Sequence, residues 1–298
     1  MTTDRLAGTV TVTRLLDDLA RTLTTRGIAE PISEAREIIA ALYDVPRFWP
    51  VTNGGVEVDA EMTTRAMAAA LRRAQGAPLA YAVGRASFRH LTLDVDERVL
   101  IPRPETEQLV ELVLDEMANS AGGVAIDVGT GSGAIAIALA AEGRFARVYG
   151  TDISRDALVV ARKNVALTAG LLHAPVEMLH GSLLGPLLDV RARVVVSNPP
   201  YIAVGEAPSL PASVRDWEPA VALFSGADGM VTTARLVREA ADVLAPGGLL
   251  AMEVDVRRAS LAADLVLRER RFRSVRIELD LTGRERFVLA RRQEKDSA

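Results

Sequence analysis

The chain has 298 residues and a formal net charge of −4, from 35 Lys and Arg against 39 Asp and Glu. This balance lacks the basic excess typical of proteins that bind bulk DNA or RNA. Cysteine is absent, which excludes a disulfide framework and a thiolate zinc site. The histidines His90, His173 and His180 are too scattered to predict a metal site. Neither a signal peptide nor a run of about 18 apolar residues is present, so we expect a cytoplasmic protein.

Residues 1–77 predict a small helical domain. Gly27 is placed to end a first helix, Ser33 to cap a second, and Asp59 to cap a third that runs to Gln75. Apolar side chains recur at helical spacing on one side of each helix, which indicates core packing. They are Leu15, Leu16, Leu19 and Leu23 in the first helix, Ile38, Ile39 and Leu42 in the second, and Met62, Met67, Ala70 and Leu71 in the third.

The rest of the chain predicts a linker region over residues 78–112 and an α/β domain over 113–298. Residues 79–103 are expected to form extended hairpin segments, followed by a helix over 105–118. From residue 122 onward strands and helices alternate, which favours a mostly parallel sheet with helices on both faces. The predicted strands are 124–128, 147–152, 175–179, 193–197, 249–254, 274–279 and 286–290, and the predicted helices are 133–141, 154–168, 232–244 and 259–270.

The motif Asn198-Pro199-Pro200-Tyr201, called the acceptor turn below, follows the buried strand pattern of Val194–Ser197. Because proline fixes φ and has no N–H, two prolines stiffen the turn and donate nothing. The Asn198 side-chain carbonyl and a neighbouring backbone carbonyl are then available to accept both hydrogens of a planar NH2 group. Such acceptors return electron density to the nitrogen and favour its attack on an electrophilic methyl. The alternative is a stiff turn without chemistry.

A glycine-rich segment, Gly129–Gly133, called the glycine turn below, joins the predicted strand Val124–Val128 to the Ala-rich run Ala134–Ala140. Glycines let the backbone approach a ligand, and a helix start offers free N–H groups, so this corner is typical of nucleotide binding. The next predicted strand ends in Asp152, an acid that can hold ribose hydroxyls.

The glycine turn also satisfies the dinucleotide-binding pattern through Gly129, Gly131 and Ala134. Against NAD stand Asp127, the third glycine Gly133, and above all the acceptor turn downstream. S-adenosylmethionine fits both motifs, with its nucleoside and amino acid over the glycine turn and its methyl directed at the acceptor turn. The polar candidates fall at the carboxyl ends of predicted strands, where open α/β sheets bind ligands. They are Asp127, Asp152, Ser182 and Asn198.

The chain resembles the bacterial release factor glutamine methyltransferases, the HemK/PrmC family, which methylate the side-chain amide of the Gln in the Gly-Gly-Gln loop of peptide chain release factors. The resemblance covers roughly residues 78–290 and extends beyond the two turns. The other matched segments are Pro78-Leu79-Ala80-Tyr81 with Gly84 and Phe88, Ile101-Pro102-Arg103-Pro104-Glu105-Thr106-Glu107, Glu218-Pro219, Ala222-Leu223, Gly226–Met230, Ala245–Gly248 and Asp280–Arg284.

This resemblance implies a class I methyltransferase: a Rossmann-like, mostly parallel seven-stranded sheet with a small N-terminal helical domain that grips the protein substrate. It implies S-adenosylmethionine as the cofactor, release factors as partners, no nucleic-acid or membrane partner, no metal, and a monomer. The implied catalytic and substrate-binding residues are Asn198, Pro199, Pro200 and Tyr201, and Glu105 also borders the substrate. The implied cofactor-binding residues are Asp127, Gly129, Thr130, Gly131, Ser132, Gly133, Asp152, Ser182, Leu183 and Asn198.

The chain departs from the family pattern at several places. Ser182-Leu183 stands where many relatives carry Asp and an aromatic residue, so adenine loses a carboxylate acceptor and a stacking ring, and we expect weaker cofactor binding. Glu253-Val254-Asp255 and Arg257 stand where relatives often have Glu-x-Gly followed by Gln. Residues 1–77 match the family only in being helical with apolar patterning.

Other functions remain open at this point. One is methylation of a Gln on a ribosomal protein, and another is N6-methylation of adenine in nucleic acid, because adenine's amine poses the same chemical problem. The adenine alternative needs a target-recognition domain and basic grooves, which the sequence does not show. A noncatalytic cofactor-binding module is the alternative from outside the enzymes.

Overall fold

The computed structural model describes residues 9–294 and contains two compact units. The first unit ends at Arg85 and also includes Pro211–Trp217, and the second comprises Ala86–Leu210 and the chain from Glu218 onward. Within the described residues, no helix combines the length and the apolar character that crossing a membrane requires.

The first unit is helical, as predicted. Its strands β1 (Val10–Thr11) and β2 (Glu57–Val58) pair antiparallel. Its helices before Arg85 are α1 (Val12–Thr25), α2 (Pro31–Tyr43), α3 (Trp49–Thr52), α4 (Ala60–Ala74) and α5 (Leu79–Val83). The apolar faces predicted for α1 and α2 meet in one core, which buries Leu15, Leu19, Leu23, Ile38, Ile39 and Leu42.

Of the two N-terminal helix caps predicted in this unit, one is confirmed and one is wrong. Asp59 caps α4 as predicted, since its Oδ1 accepts from the Met62 amide at 2.7 Å. The prediction that Ser33 caps α2 is wrong, because α2 begins at Pro31 and has no side-chain cap. Proline suits the first turn of a helix, where its missing N–H has no helical partner. The Ser33 hydroxyl instead accepts from Arg47.

Helix α4 packs largely through the predicted face, since Ala70 is buried and Met62 and Met67 pack partly buried against the core. Leu71 is 47% exposed, so its assignment to the core side is wrong. Ala66 and Ala69, which the sequence did not single out, are buried beside Ala70. Alanine has no bulky side chain, so it lets a neighbouring helix approach closely, and α4 contacts both α1 and α2.

The segment after the first unit's long helices is only partly extended. Residues 79–83 form the helix α5, so the extended prediction for them is wrong. A segment this short carries too little periodicity to distinguish helix from strand. The hairpin follows as β3 (Arg85–Phe88) and β4 (Leu91–Asp94), and α6 (Pro104–Met117) begins one residue before its predicted start.

The second unit contains a mostly parallel seven-stranded sheet, which confirms the predicted fold class. Its strands are β5 (Val124–Val128), β6 (Arg147–Asp152), β7 (Val176–His180), β8 (Ala192–Ser197), β9 (Leu244–Glu253), β10 (Phe272–Leu279) and β11 (Glu285–Arg292). Their order is β10-β11-β9-β8-β5-β6-β7. Strands β5 to β9 run parallel to one another, whereas β11 is antiparallel to both β9 and β10.

Helices cover both faces of this sheet because alternate strand residues point to opposite sides. Ala125 of β5 lies in a core shared with α6, α7 and α8, whereas Ile126 lies in a core shared with α11 and α12. The remaining helices are α7 (Ala134–Glu142), α8 (Arg155–Leu167), α9 (Ala212–Arg215), α10 (Ala220–Leu223), α11 (Val231–Val243) and α12 (Ala259–Arg268). Helix α9 lies in the part of the chain that belongs to the first unit.

The strand order places a ligand crevice beside β5. The chain passes from β7 at one edge of the sheet back to β8, which pairs with the other side of β5. Such a reversal opens a crevice at the carboxyl ends of the strands. The register aligns these ends, since Val128 pairs with both Thr151 and Ser197, and Ser197 pairs with Met252.

Candidate active site

A cavity of about 250 Å³ lies at this carboxyl edge of the second unit. It brings together many of the residues that the sequence predicts for the site. The predicted residues that line it are Gly129, Gly131, Asp152, Ser182, Leu183, Asn198 and Pro200. The other predicted residues do not line the cavity; they are Glu105, Asp127, Thr130, Ser132, Gly133, Pro199 and Tyr201.

The glycine turn presents backbone to the cavity. Gly129 and Gly131 have positive φ values of 73° and 55°. A Cβ added to either would meet no other atom of the described chain within 4 Å, so a ligand can approach the backbone there. Gly133 is different, because its Cβ would press on Ile137 and Met178 at 3.2 Å. The third glycine therefore serves close packing of the turn against the core.

Asp127 lies buried beneath the glycine turn. Its Oδ2 accepts from Thr130 Oγ1 at 2.6 Å and from the Ala136 amide at 3.2 Å. Its Oδ1 has no hydrogen-bond partner in the described part of the chain. Burial raises the pKa of Asp127 to about 7. Asp127 does not line the cavity, and it holds the glycine turn through Thr130 and the start of α7.

Thr130 and Ser132 support the turn from within. The Thr130 hydroxyl is engaged by Asp127 and is buried. Ser132 is buried too, and its carbonyl accepts from Asn164 Nδ2 at 2.9 Å. Both residues hold the shape of the backbone that the cavity exposes.

Asp152 accepts hydrogen bonds from the backbone of the glycine turn and of the residues before α8. Its Oδ2 accepts from the Gly131 amide at 2.9 Å, and its Oδ1 accepts from the Ser154 amide at 2.8 Å. Burial raises the pKa of Asp152, although these backbone donors oppose the shift. The carboxylate therefore ties the glycine turn to the start of α8 while it borders the cavity.

The Ser182-Leu183 corner carries no carboxylate of its own but lies against charged residues of α11. Ser182 Oγ accepts from Arg235 Nη2 at 3.3 Å. Arg235 pairs with Glu239 at 3.2 Å, and Glu239 also accepts from the Leu184 amide at 3.0 Å. Arg235 lines the cavity, and sequence reasoning did not single it out.

The acceptor turn has its Asn side chain held by a buried hydrogen-bond chain. Asn198 Nδ2 donates to Thr106 Oγ1 at 3.0 Å, and Thr106 Oγ1 donates to Glu253 Oε2 at 2.7 Å. The Asn198 amide nitrogen is thus used inside the protein, which leaves the carbonyl oxygen as the acceptor for a ligand. The Ser197 hydroxyl donates to the Val128 carbonyl at 2.6 Å and anchors the turn to β5.

The other predicted members of the acceptor turn differ in their surroundings. Pro199 is buried, whereas Pro200 lines the cavity. Burial raises the pKa of the Tyr201 phenol, and the nearby Glu253 carboxylate raises it further. Glu105 also acts on Glu253 electrostatically. Tyr201 and Glu105 therefore lie around Glu253 and not in the lining of the cavity.

Sequence reasoning missed Thr106 and Glu253 as site residues. A signal for Glu253 exists, since the apolar run of β9 ends in this acid just as β6 ends in Asp152. Thr106 follows Glu105 in a matched segment, but only the fold brings it to Asn198. Glu253 is buried, and burial raises its pKa to about 7 against the opposing effects of Thr106 and Arg286.

Two further segments complete the cavity. Residues 98–100 and residues 219–224 contribute to its lining. An ion pair between Arg103 and the buried Glu218 connects the two segments. Glu218 and Arg103 both belong to stretches that the sequence matched to the family, and the ion pair joins those stretches in the fold.

Burial raises the pKa values of Asp127, Asp152 and Glu253, and this predicts a pH dependence of the free energy of unfolding. Because their pKa values are raised on folding, the folded protein binds more protons than the unfolded chain between about pH 4 and pH 7. We therefore expect the free energy of unfolding of the ligand-free protein to fall as pH rises from about 4 to 7 and to level off above that, by up to about 1.4 kcal/mol per pH unit for each such group. Carboxylates with lowered pKa, such as Asp280 at about 2, are already ionised there and add no slope.

Urea unfolding at several pH values measures this slope, and Glu253→Gln should make it shallower. Glu177→Gln is the matched control, because Glu177 is a strand carboxylate whose side chain is 50% exposed. Parallel stability profiles for wild type and Glu253→Gln would contradict the raised pKa of Glu253.

Comparison with known proteins identifies the family. A family model described as the methyltransferase small domain matches residues 105–210, and one described as the PrmC N-terminal domain matches residues 14–84. The release factor glutamine methyltransferase of Deinococcus radiodurans is 39% identical over 279 residues, which cover 93% of this chain and 97% of that protein. The chain belongs to the release factor glutamine methyltransferase family. The enzyme of that name from Moorella thermoacetica is 38% identical over 286 residues, which cover 96% of this chain and all of that protein.

Family membership confirms the recognition made from the sequence, and it extends the match into the first unit. By motif, residues 1–77 matched the family only in being helical with apolar patterning, yet residues 14–84 match the model described as the PrmC N-terminal domain. A solved structure agrees at the level of fold: the hMettl16 catalytic domain, in complex with MAT2A 3'UTR hairpin 6, superposes with a TM-score of 0.54 at 17% identity, covering 82% of this chain and 86% of that one.

Proposed function

We propose that this chain transfers a methyl group to the side-chain amide nitrogen of the Gln in the Gly-Gly-Gln loop of peptide chain release factors. One observation carries the proposal. The Asn198 amide nitrogen is bound to Thr106, so its carbonyl oxygen is the group available at a cavity that the glycine turn also lines. Membership of the release factor glutamine methyltransferase family supports the same substrate.

The cofactor proposed for the cavity is S-adenosylmethionine, which when bound supplies an electrophilic methyl on a sulfonium. The open space at Gly129 and Gly131 fits close approach of the ligand to the backbone, and the buried Asp127 holds this turn from beneath through Thr130. Asp152 at the cavity wall is suited to accept from ribose hydroxyls. Ser182 and Leu183 border the proposed position of the adenine ring. Thr130, Ser132 and Gly133 support the glycine turn from behind.

The acceptor turn is suited to bind an amide. Asn198 Oδ1 and the Pro199 carbonyl would accept the two amide hydrogens and hold the nitrogen toward the methyl donor. Accepting both hydrogens counteracts the delocalisation of the nitrogen lone pair, which makes the nitrogen a better nucleophile. Tyr201 and Glu105 flank the proposed binding position of the substrate amide. The rate gain comes mainly from positioning, and the methylated nitrogen loses one proton to water without a dedicated base.

The first unit is proposed to recognise the body of the release factor while the loop enters the cavity. It is separate from the unit that holds the cavity and exposes large apolar side chains, including Phe48 at 67% and Val51 at 54%. All residues that line the cavity come from one unit of one chain, so we propose that a monomer is active. Because release factors act in translation, we place the enzyme in the cytoplasm.

A substrate panel tests the proposal against the alternatives. Enzyme and S-adenosylmethionine with a labelled methyl are incubated separately with intact release factor, ribosomal proteins and duplex DNA. We expect label in release factor alone. Label in a ribosomal protein or in adenine, with none in release factor, would overturn the proposed substrate. The net charge of −4 agrees with a substrate that is not a polyanion.

A further inference from the structure

Thr106 and Glu253 form a buried hydrogen-bond chain that ends on Asn198. Thr106 lies in the first turn of α6 and is 5% exposed, and Glu253 is the last residue of β9 and is 2% exposed. Because Ser197 pairs with Met252 across neighbouring parallel strands, the next residues along each chain segment, Asn198 and Glu253, lie close together. The fold thus brings together three polar groups that are far apart in sequence.

The direction of this chain follows from the chemistry of its last member. An ionised carboxylate can only accept, so the single hydroxyl hydrogen of Thr106 is given to Glu253. The lone pairs of Thr106 then face Asn198, which must present its NH2 group to them. The Asn198 carbonyl oxygen is consequently turned away from Thr106 and is available to a substrate amide.

Protonation of Glu253 would remove this constraint. A carboxylic acid can donate to Thr106, whose own hydrogen is then free to donate to the Asn198 carbonyl oxygen. That arrangement stabilises the flipped Asn198 amide, in which the carbonyl oxygen and the NH2 group have exchanged positions. The Asn198 NH2 group would then face the NH2 group of the substrate. Two donors cannot form a hydrogen bond, so the flipped form does not bind the substrate amide.

We propose that Thr106 and Glu253 are positioning residues for methyl transfer: ionised Glu253, acting through the Thr106 hydroxyl, holds Asn198 with its carbonyl oxygen toward the substrate. This inference rests on the proposed function and deepens it, because it explains how the acceptor turn selects one of two nearly isosteric orientations. Neither residue touches the substrate in this account, and both act through Asn198.

The groups around Glu253 place its titration near neutral pH. Glu105 of α6 faces it as a second acid, whereas Arg103 before α6 and Arg286 of β11 face it as cations, and the Tyr201 phenol lies nearby. Burial raises the pKa of Glu253 to about 7, Glu105 adds to the rise, and Thr106 and the two cations oppose it. Since ionised Glu253 is the active form, kcat should fall as pH decreases below about 7.

Four variants test the chain at saturating S-adenosylmethionine and release factor. Thr106→Val removes the hydroxyl at nearly constant shape, and we expect kcat to fall about tenfold, the effect of one lost hydrogen bond. The acidic limb of its pH profile should disappear, because Glu253 is disconnected from Asn198. Thr106→Ser should restore both the wild-type kcat and the fall of kcat at low pH. Glu253→Gln should lower kcat and show no limb, since its amide does not titrate.

The fourth variant, Asn198→Ala combined with Glu253→Gln, should be no slower than Asn198→Ala alone, because Glu253 acts only through Asn198. Calorimetric titration should give the same S-adenosylmethionine Kd for every variant, which also shows that each is folded. Thr168→Val is the matched control: it deletes another buried hydroxyl, which donates to the Asn164 carbonyl at 2.8 Å, and should keep the wild-type pH profile.

The outcomes separate the two proposals. A Thr106→Val enzyme with wild-type kcat, or one that keeps the acidic limb, would overturn the positioning role while leaving the release factor activity in place. Multiplied losses in the double variant would overturn it as well. A wild-type enzyme that binds S-adenosylmethionine but leaves release factor unmethylated would overturn the proposed function, and the positioning role would fall with it.

Discussion

Replacing Asn198 with alanine should lower methyl transfer to release factor by about a hundredfold or more while leaving S-adenosylmethionine binding nearly unchanged. The side chain is a preorganised acceptor, because Thr106 fixes its orientation. Its removal deletes one hydrogen bond to the substrate amide and lets the nitrogen move out of alignment with the methyl group. Loss of one such preorganised group raises the activation free energy by about 3 kcal/mol. Single-turnover rates at saturating cofactor measure the effect directly.

Asn119→Ala serves as the matched control, because Asn119 lies exposed after α6 in the same unit. It should retain wild-type turnover. Calorimetric titration of Asn198→Ala with S-adenosylmethionine shows whether the cavity is intact. Turnover of Asn198→Ala within a few-fold of wild type would refute the role assigned to the acceptor turn.

Replacing Asp152 with alanine should weaken S-adenosylmethionine binding roughly tenfold to a hundredfold and change the rate of the bound enzyme much less. The carboxylate is proposed to accept from the ribose, and hydrogen bonds to a charged group contribute about 1.5–3 kcal/mol. It also accepts from the Gly131 and Ser154 amides, so its loss loosens the turn that the cofactor contacts. Calorimetry gives Kd, and kcat at saturating cofactor gives the bound-state rate.

Two comparisons sharpen this result. Asp152→Asn keeps one accepting oxygen and should fall between wild type and Asp152→Ala. Asp189→Ala removes an exposed acid elsewhere in the second unit and should bind the cofactor normally. An unchanged Kd for Asp152→Ala would mean that this carboxylate does not hold the ribose.

Much of the second unit was predictable because its central strands, such as β5 and β8, are almost entirely buried. An apolar run such as that of β8 has one simple interpretation, and a polar residue that ends it must lie at the sheet edge. The fold class and the strands from residue 122 onward were predicted on this basis. The start of β9 was not, because Ala245–Gly248 lacks the apolar pattern although the strand already begins at Leu244.

The hydrogen-bond chain behind Asn198 was not predictable, because it depends on tertiary contacts. Thr106 and Glu253 are 147 residues apart and carry no local signal that pairs them. The misplaced cap at Ser33 and the exposed Leu71 have a similar origin. Each residue fits its local pattern, but Pro31 starts the helix earlier, and small residues of α4 are buried while Leu71 is not.

The most direct test of the account is tandem mass spectrometry of release factor after incubation with the enzyme and S-adenosylmethionine. The account predicts one added methyl on the side-chain amide of the Gln in the Gly-Gly-Gln loop, and none on a release factor in which that Gln is replaced by Ala. An unmodified loop, or a methyl group on any other residue, would contradict it.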